Sequence, residues 1–178
     1  MVDFKMIVAC DRDWGIGKSG QLLTHLSGDL KYFKEKTLSG LVILGRKTAA
    51  TFPGGRALPC RVNLMLSTTE DARDGYIIEK NVKAVIARAE ALTAAHEIDK
   101  DRIYVIGGAS VYAAFLPHTD TVFVTKIDAA FGADAFFPDL DEDPAFTCVS
   151  ESESITESGI SYRFCEYRSV AAHGSIKS

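Results

Sequence analysis

The pattern that defines the fold class begins at Leu41-Val42-Ile43-Leu44-Gly45-Arg46-Lys47-Thr48, where an apolar strand leads directly into a short helix. Four consecutive apolar residues are typical of a strand that is buried on both faces, and the segment 48–51 suits a short helix. The succession of strand, glycine and helix recurs at Val105-Ile106-Gly107-Gly108-Ala109-Ser110. Strands that alternate with helices predict a mostly parallel α/β sheet.

The flanking segments extend this pattern in both directions. Further apolar, β-prone segments predict strands at residues 4–10, 61–67, 102–106, 121–127, 146–153 and 161–167. Helices are expected around Asp29, over 82–96, where one face is apolar, and over 109–115. Because the last three strands follow one another without helices, they predict an antiparallel edge. Residues 1–170 are expected to form one domain, and the small, polar residues 171–178 a disordered tail.

Composition and charge exclude several classes of protein. The chain has 178 residues, of which 47% are hydrophobic and 25% charged, as in ordinary globular proteins. A net charge of −4 argues against a general binder of nucleic acid or of anionic membranes. No apolar run approaches the roughly 20 residues that span a bilayer, and residues 1–5 do not resemble a signal peptide. A cytoplasmic protein is expected.

The cysteines and histidines have no metal-ligand spacing. Cys10, Cys60, Cys148 and Cys165 lie far apart, without a C-x-x-C pair. His25, His96, His118 and His173 form no H-E-x-x-H sequence. Neither a metal site nor a disulfide framework is expected.

One carboxylate lies among apolar residues in the segment Leu26-Ser27-Gly28-Asp29-Leu30-Lys31-Tyr32-Phe33. Asp29, Leu30 and Phe33 share one sector of a helix surface. If that sector faces inward, Asp29 is an acid in an apolar cleft, where a nitrogen heterocycle would offset the cost of burying its charge. The alternative is an ordinary acid in the first turn of a helix that is capped by Ser27.

Two strand ends have the composition of an anion site. Arg46, Lys47 and Thr48 follow a strand, so side-chain cations and free backbone N–H groups converge there. At Gly107 and Gly108 the paired glycines permit a ligand to approach the backbone closely. The alternatives are a solvated basic turn and a simple tight turn. Since neither segment contains G-x-G-x-x-G, a Rossmann fingerprint is not indicated.

In chain order, these features resemble the dihydrofolate reductase family from about Phe4 to Arg168. The matching segments are the glycine loop 15–20, D-L-x-x-F at 29–33, G-R-K-T at 45–48, F-P-G-G-R-A-L-P-x-R at 52–61, V-I-G-G at 105–108, V-T-K-I-D at 124–128 and F-F-P-D at 136–139. The resemblance implies a bacterial type of fold, with a central eight-stranded, mostly parallel sheet, an antiparallel C-terminal edge and four flanking helices. It also implies a monomer in which NADPH and folate share one cleft.

Carried over by position, the resemblance assigns catalysis to Asp29 and Thr125. Asp29 matches the acid that hydrogen-bonds the pterin and promotes protonation at N5, and Thr125 matches the threonine bonded to that acid. Arg61 matches the arginine that holds the glutamate α-carboxylate of folate, a role that suits a bidentate guanidinium. The other residues implied to line the substrate are Ile7, Val8, Ala9, Leu30, Phe33, Phe52, Leu58, Ile106 and Tyr112.

The resemblance likewise assigns a cofactor site that favours NADPH over NADH. Arg46, Ser67 and Thr68 match the site of the 2′-phosphate, and Lys47 and Thr48 match that of the pyrophosphate. A mobile loop over the nicotinamide corresponds to Ile16, Gly17, Gly20, Gln21 and Leu22, with Leu22 counted among the catalytic residues. The remaining implied contacts are Gly45, Gly107, Gly108, Ala109, Ser110 and Val111, and in the family the peptide between the two glycines is cis.

The implied reaction is hydride transfer from NADPH to C6 of 7,8-dihydrofolate with protonation at N5, which yields tetrahydrofolate for one-carbon metabolism. Antifolate inhibitors are expected to bind the same cleft. Two other functions remain open. One is a reductase of a riboflavin-pathway pyrimidine or of another pterin, which would not need Arg61. The other is a protein that binds pterins or nucleotides without catalysis.

Some positions depart from the family pattern. Leu23 and Thr24 stand where the family usually has Pro-Trp, and Ser27 replaces another common proline. Because Thr24 lacks the aromatic bulk that helps to position a water, turnover and trimethoprim binding are expected to be atypical. Trp14, ten residues earlier, is not expected to substitute. Ser110 stands where an arginine is common, which predicts weaker NADPH binding.

Overall fold

Strands and helices alternate along the first two thirds of the chain in the computed structural model, which describes residues 2–173. The strands are β1 (Phe4–Cys10), β2 (Gly15–Gly17), β3 (Leu41–Gly45), β4 (Val62–Leu66), β5 (Tyr76–Glu79), β6 (Ile103–Gly107), β7 (Thr119–Ile127), β8 (Ala135–Phe136), β9 (Phe146–Glu151), β10 (Ile155–Glu157) and β11 (Ile160–Ser169). The helices are α1 (Ser27–Thr37), α2 (Arg46–Ala50), α3 (Val82–Ala94), α4 (Ala109–Phe115) and the four-residue α5 (Val170–His173).

The main sheet has the order β10-β11-β7-β1-β6-β3-β4-β5. All pairs from β7 to β5 are parallel, whereas β11 is antiparallel to β7, β9 and β10. Since β9 and β10 pair with different halves of the same edge of β11, they form one interrupted edge strand, and the sheet is eight strands wide. The predicted eight-stranded sheet with an antiparallel C-terminal edge is therefore confirmed.

The core has two layers because side chains alternate across the strands. Leu41 and Ile43 point into a cluster that includes Val85 of α3 and Phe115 of α4. Val42 and Leu44 point into a second cluster, against which residues of α1 and α2 pack. The fully buried strand at 41–45 is thus covered on both faces, as its continuous apolar sequence predicted.

Local sequence determines where helix α3 begins and which of its faces is buried. Asn81 caps it by accepting a hydrogen bond from the N–H of Ala84 at 2.9 Å. Val85, Ala89 and Leu92 are buried on its predicted apolar face. The helix ends at Ala94, two residues before the predicted boundary at position 96.

The sequence did not predict four short elements: β2, β5, β8 and β10, each of two to four residues. Two of them, β2 and β8, pair with each other outside the main sheet. Such short strands carry too few residues for a period-two pattern to stand out, and only their pairing partners define them. The predicted tail begins within α5, and its residues 174–178 lie outside the described part of the chain.

Candidate active site

A cleft of about 650 Å³ opens where the carboxyl ends of four parallel strands meet. β6 lies between β1 and β3, although it follows both in the sequence, and β4 flanks β3. In the register of the sheet, Leu44 is paired with Gly107, and Gly45 with Leu66. The two glycine-bearing strand ends that the sequence singled out are therefore neighbours, at the place where ligands bind in open α/β sheets.

Three glycines at the ends of β3 and β6 stand where any side chain would crowd a neighbouring residue. A Cβ at Gly45 would lie 3.0 Å from Cγ2 of Val111, and one at Gly107 or Gly108 would lie 3.3 Å from Oγ1 of Thr48. The Gly107–Gly108 peptide is cis, as the resemblance implied, and Gly107 has a φ of 126°. A larger residue at any of these three positions would therefore crowd Val111 or Thr48 between β3 and β6.

Every residue that the resemblance implied for the cofactor lines this cleft. Arg46 and Lys47 are exposed and form no ion pair with any described residue. Their charges are therefore available to an anion. Ser67 is buried beside them, and its hydroxyl accepts a hydrogen bond from the N–H of Glu70 at 3.1 Å.

The loop at one rim of the cleft is held by β8, which the sequence did not predict. The N–H of Asp134 donates to the carbonyl of Gly17 at 3.0 Å, and Oδ2 of Asp134 accepts from the N–H of Ser19 at 2.8 Å. Leu22 lies in the same loop and lines the cleft while 51% exposed. Five further lining residues were missed by sequence reasoning, and no local motif marks them: Thr51, Leu66, Thr69, Asp134 and Ala135.

Asp29 lies in the first turn of α1, half-buried, with Thr125 of β7 beside it. The Thr125 hydroxyl donates to Oδ1 of Asp29 at 2.6 Å. Thr125 is paired with Ala9 of β1, which lines the cleft, so Asp29 and Thr125 lie one strand away from the cleft wall and do not line the cleft themselves. Burial raises the pKa of Asp29 above its ordinary value, the hydrogen bond from Thr125 lowers it, and the charge of Glu157 raises it.

The interpretation in which Ser27 caps α1 is wrong. Leu26 occupies the N-cap position, and its side chain makes no capping hydrogen bond. The N–H and the hydroxyl of Ser27 both donate to Glu157 of β10, at 2.7 and 2.6 Å. Sequence reasoning could not find this contact, because the two residues are 130 positions apart.

The implied substrate residues fall into two groups. Val8, Ala9, Ile106 and Tyr112 line the cleft itself. Six others lie outside its lining: Ile7, Leu30, Phe33, Phe52, Leu58 and Arg61. Of these, Ile7 belongs with Ile106 to the apolar cluster on the α1 face of the sheet, and Phe33, Phe52 and Leu58 pack against it. Because Ile106 belongs to both sets, the cleft and this cluster are continuous.

The other two of the six residues, Leu30 and Arg61, lie outside this apolar cluster. Leu30 is 46% exposed on α1. Arg61 lies 5.9 Å from the ring centroid of Phe33, and its Nε donates to Oγ1 of Thr37 at 2.8 Å while Nη1 donates to the carbonyl of Pro59 at 2.7 Å. Burial lowers the pKa of Arg61. These two hydrogen bonds hold the guanidinium beside Phe33, which packs against the apolar cluster.

Tyr112 lies at the cleft, whereas Trp14 lies away from it. The Tyr112 hydroxyl donates to the carbonyl of Ile7 at 2.7 Å, which ties α4 to β1 beneath the cleft. Trp14 is buried on the opposite face of the sheet, where it contacts Phe137 and Tyr167. It does not line the cleft, so it does not take the place of the tryptophan that the family usually has near Thr24.

A second cavity, of about 240 Å³, lies against Trp14, and no implied site residue lines it. Its three cations are already neutralised: Lys126 pairs with Asp141 at 2.6 Å, Arg12 with Asp128 at 2.8 Å and Arg163 with Glu151 at 2.9 Å. This cavity offers no cation to an anionic ligand.

Three potential metal ligands also meet away from the cleft, although their spacing in the sequence did not predict it. Cys148, Glu151 and Cys165 have ligand atoms within 4.8 Å of one another on β9 and β11. Burial raises the pKa of Cys165 to about 11, and Glu151 is paired with Arg163 at 2.9 Å. The protonated thiol and the neutralised carboxylate do not favour a cation.

The chain is similar to known proteins along nearly its whole length. The model of the family described as dihydrofolate reductase matches residues 3–169. The dihydrofolate reductase of Enterococcus faecium is 34% identical over 165 residues, which are 92% of this chain and 95% of that protein. That of Haemophilus influenzae is 34% identical over 137 residues, covering 77% and 79%.

A solved structure agrees with these matches. The dihydrofolate reductase from Enterococcus faecalis, complexed with NADP(H) and RAB-propyl, has a TM-score of 0.79 and is 28% identical, covering 94% of this chain and 96% of that one. In the described part of the chain, no helix is long and apolar enough to cross a membrane. Family match, fold and cleft agree: the chain belongs to the dihydrofolate reductase family, the NADPH-dependent enzymes that reduce 7,8-dihydrofolate to tetrahydrofolate.

Proposed function

We propose that this chain carries out that reduction with Asp29 as its acid, Arg61 as its substrate clamp and the β3 and β6 strand ends as its cofactor cradle. The observation that carries the proposal is the Asp29 carboxyl, half-buried on α1 and bonded to Thr125 at 2.6 Å beside the cleft wall. A carboxyl in this setting holds a flat nitrogen heterocycle by hydrogen bonds and offsets positive charge that develops on it.

The strand ends fit a dinucleotide phosphate. Gly45, Gly107 and Gly108 line the cleft without a side chain, and Arg46 and Lys47 are exposed cations that form no ion pair with the described residues. We assign Arg46, Ser67 and Thr68 to the 2′-phosphate, and Lys47, Thr48 and the residues at 107–111 to the pyrophosphate. NADPH supplies the hydride when bound. The protein contributes orientation and the exclusion of water.

Asp29 promotes protonation of the bound pterin at N5. Because its pKa is raised, it shares a proton with the bound pterin more readily than an exposed carboxylate would. It need not contact N5, since a carboxylate on the far side of the ring favours protonation there through its charge, with a water as the immediate donor. Leu22 and the loop at 16–21 close over the cleft and exclude bulk water.

We assign the substrate-binding part of the site to the apolar cluster that contains Ile7 and Ile106. Ile7, Leu30, Phe33, Phe52 and Leu58 contact the pterin and the p-aminobenzoyl part. Ile106 and Tyr112 close the side toward the cofactor, and the backbone at 7–9 frames the pterin. Arg61 pairs with the glutamate α-carboxylate.

The test is turnover of purified protein with its Asp29→Asn variant. The wild type is expected to oxidise NADPH only when dihydrofolate is present. Asp29→Asn keeps the shape and the acceptor for Thr125, and it is expected to lower the rate about 10²- to 10⁴-fold at neutral pH. The affinity for NADPH should not change. An unchanged rate would remove Asp29 from the proposal.

The same proposal covers assembly and location. Every residue assigned above comes from one chain within residues 1–170, and we extend the proposal to a single-domain monomer in the cytoplasm. Antifolates are expected to compete with dihydrofolate. Sedimentation equilibrium over a hundredfold range of concentration tests the monomer, and a mass that rises with concentration would contradict it.

A further inference from the structure

The first turn of α1 is capped by a side chain from a distant part of the chain. Both oxygens of the Glu157 carboxylate face this turn: Oε1 accepts hydrogen bonds from the N–H and the hydroxyl of Ser27, at 2.7 and 2.6 Å, and Oε2 accepts from the N–H of Gly28 at 3.1 Å. The backbone donors are groups that a helix cannot satisfy internally. A carboxylate at this end also interacts favourably with the helix dipole. Glu157 therefore does what the Leu26 N-cap does not do.

A tight hairpin sets the position of Glu157. Ser158 and Gly159 form the two-residue turn between β10 and β11, and their φ angles of 51° and 78° are those of a type I′ turn. Glu157 is paired with Ile160 across this turn, and the Tyr162 hydroxyl donates to Oε2 at 3.3 Å. The sheet edge thus fixes where the carboxylate meets α1.

The same hairpin packs against the residue that precedes α1. Leu26 is 3% exposed and forms an apolar cluster with Ile127 and Tyr162, against which Ile160 packs. Gly28 leaves the room that this approach needs, since a Cβ there would lie 2.0 Å from the Tyr162 hydroxyl oxygen. Apolar burial and hydrogen bonding therefore attach the start of α1 to the β10–β11 hairpin.

We propose that Glu157 is a positioning residue for Asp29: by fixing the first turn of α1, it sets where the Asp29 carboxyl lies beside the cleft. Asp29 follows Gly28 in that turn, so any shift of the helix N-terminus moves the acid. The inference rests on the proposed function, in which Asp29 holds the pterin. A displaced acid weakens the grip on dihydrofolate and leaves the cofactor cradle, which comes from other elements, in place.

Glu157 also acts on Asp29 through its charge. Its hydrogen bonds to the helix N-terminus lower the pKa of Glu157 to about 2, so it is an anion at working pH. That negative charge disfavours ionisation of Asp29, whereas the hydrogen bond from Thr125 favours it. Three tyrosines also interact with Asp29, and burial raises their pKa values, so they remain neutral: Tyr32, Tyr112 and Tyr162.

Two substitutions separate position from charge. Glu157→Gln keeps an acceptor for Ser27 and removes the negative charge, whereas Glu157→Ala removes both. Glu153→Gln and Glu153→Ala are matched controls, because Glu153 is an exposed acid shortly before β10 whose carboxylate forms no hydrogen bond or ion pair with any residue that the structure describes. Each variant is measured for KM of dihydrofolate, KM of NADPH, the pH profile of single-turnover hydride transfer, and Tm.

For Glu157→Ala, the KM of dihydrofolate is expected to rise about tenfold, as for the loss of hydrogen bonds to a charged group, with the KM of NADPH within twofold. In Glu157→Gln, a negative charge near Asp29 and the bound pterin is lost, and these two groups titrate as one unit. Their shared proton is therefore released more easily, and the midpoint of the falling limb of the pH–rate profile is expected to move to lower pH by about 0.3 unit. This shift should shrink in high salt. A loss of stability alone would not produce a salt-dependent shift of the midpoint.

The inference is overturned if Glu157→Gln has the pH midpoint of the wild type and Glu157→Ala has its KM for dihydrofolate, or if the Glu153 variants reproduce both effects. The Asp29→Asn variant, run in the same assays, keeps this outcome separate from the proposed function. If Asp29→Asn is inactive while both Glu157 variants behave as the wild type, only the positioning role fails. If Asp29→Asn is fully active, the assignment of the acid fails first.

Discussion

The Thr125 hydroxyl donates its only hydrogen to Oδ1 of Asp29 at 2.6 Å, joining the central sheet to the helix that carries the acid. Thr125 is 1% exposed, so no solvent molecule can replace the donor without rearrangement. The bond stabilises the ionised form of Asp29 and opposes the effect of burial on its pKa.

Thr125→Val removes this donor with little change in shape. At neutral pH the free energy of unfolding should fall by about 1–3 kcal/mol, since a buried carboxyl loses its partner. The pKa of Asp29 should rise further, and the falling limb of the pH–rate profile should move to higher pH. Thr125→Ser keeps the hydroxyl and is the control. Identical pH profiles for the valine and serine variants would contradict the role of this bond.

Arg61→Leu should raise the KM of dihydrofolate about 10- to 100-fold, the loss expected for a charge-assisted hydrogen-bonded pair. The KM of NADPH should not change, because Arg61 does not line the cofactor cleft. The control is Arg56→Leu, an exposed arginine of the same segment. Equal KM values for dihydrofolate in wild type and Arg61→Leu would favour a substrate without a glutamate tail.

Arg46→Gln should weaken NADPH binding about tenfold and leave NADH binding unchanged, because only NADPH carries the 2′-phosphate. The difference should decrease with salt, since Arg46 is exposed. Lys83→Gln, on α3, removes an exposed cation away from the cleft and serves as the control. Equal losses for both cofactors would place Arg46 elsewhere than at the 2′-phosphate.

Asp29 should stabilise the protein less at neutral pH than at acid pH. Its folded pKa is raised above the ordinary 3.8 by burial, so the native state holds the proton more tightly than the unfolded chain. Stability therefore falls as the pH rises from about the unfolded pKa through the folded pKa, and it stays lower above this window. Asp29→Asn cannot ionise, so its Tm relative to the wild type should increase across the same window. A Tm difference that is constant with pH would contradict the raised pKa.

Gly28→Ala should disturb α1, although alanine is the better helix former. The new Cβ would meet the Tyr162 hydroxyl oxygen at 2.0 Å, and Tyr162 is 2% exposed, so it cannot move away freely. The expected cost is about 1–3 kcal/mol of the free energy of unfolding, with a higher KM for dihydrofolate. Tyr162→Phe removes the clashing oxygen and should restore part of the loss in the double variant. Additive effects of the two substitutions would show that they do not interact.

Much of this fold could be predicted from local patterns. The continuous apolar sequence at 41–44 predicted a strand that is buried on both faces of the sheet, and the apolar residues of α3 recur with the helical period. Glycines at the ends of β3 and β6, together with the two cations after β3, predicted an anion site without any information on which strands are neighbours. The strand, helix and strand-end patterns each involve residues that are close together in the sequence, so they can be predicted from residue type and spacing alone.

The rest depended on contacts between distant segments. β8 is two residues long and acquires its role only by pairing with the loop at 15–17. Glu157 looks like any exposed acid in the sequence, and Ser27 looks like a cap. Only the type I′ turn after β10 brings the carboxylate to α1.

Local sequence patterns were enough to predict the longer strands, the main helices and the chemical types at the site, because backbone preference and apolar periodicity are local. The tertiary structure decided which strand ends are adjacent, how far Asp29 is buried and which charge lies beside it. Pairing and burial join residues that are more than a hundred positions apart, such as Ser27 and Glu157, and no local pattern encodes such distances.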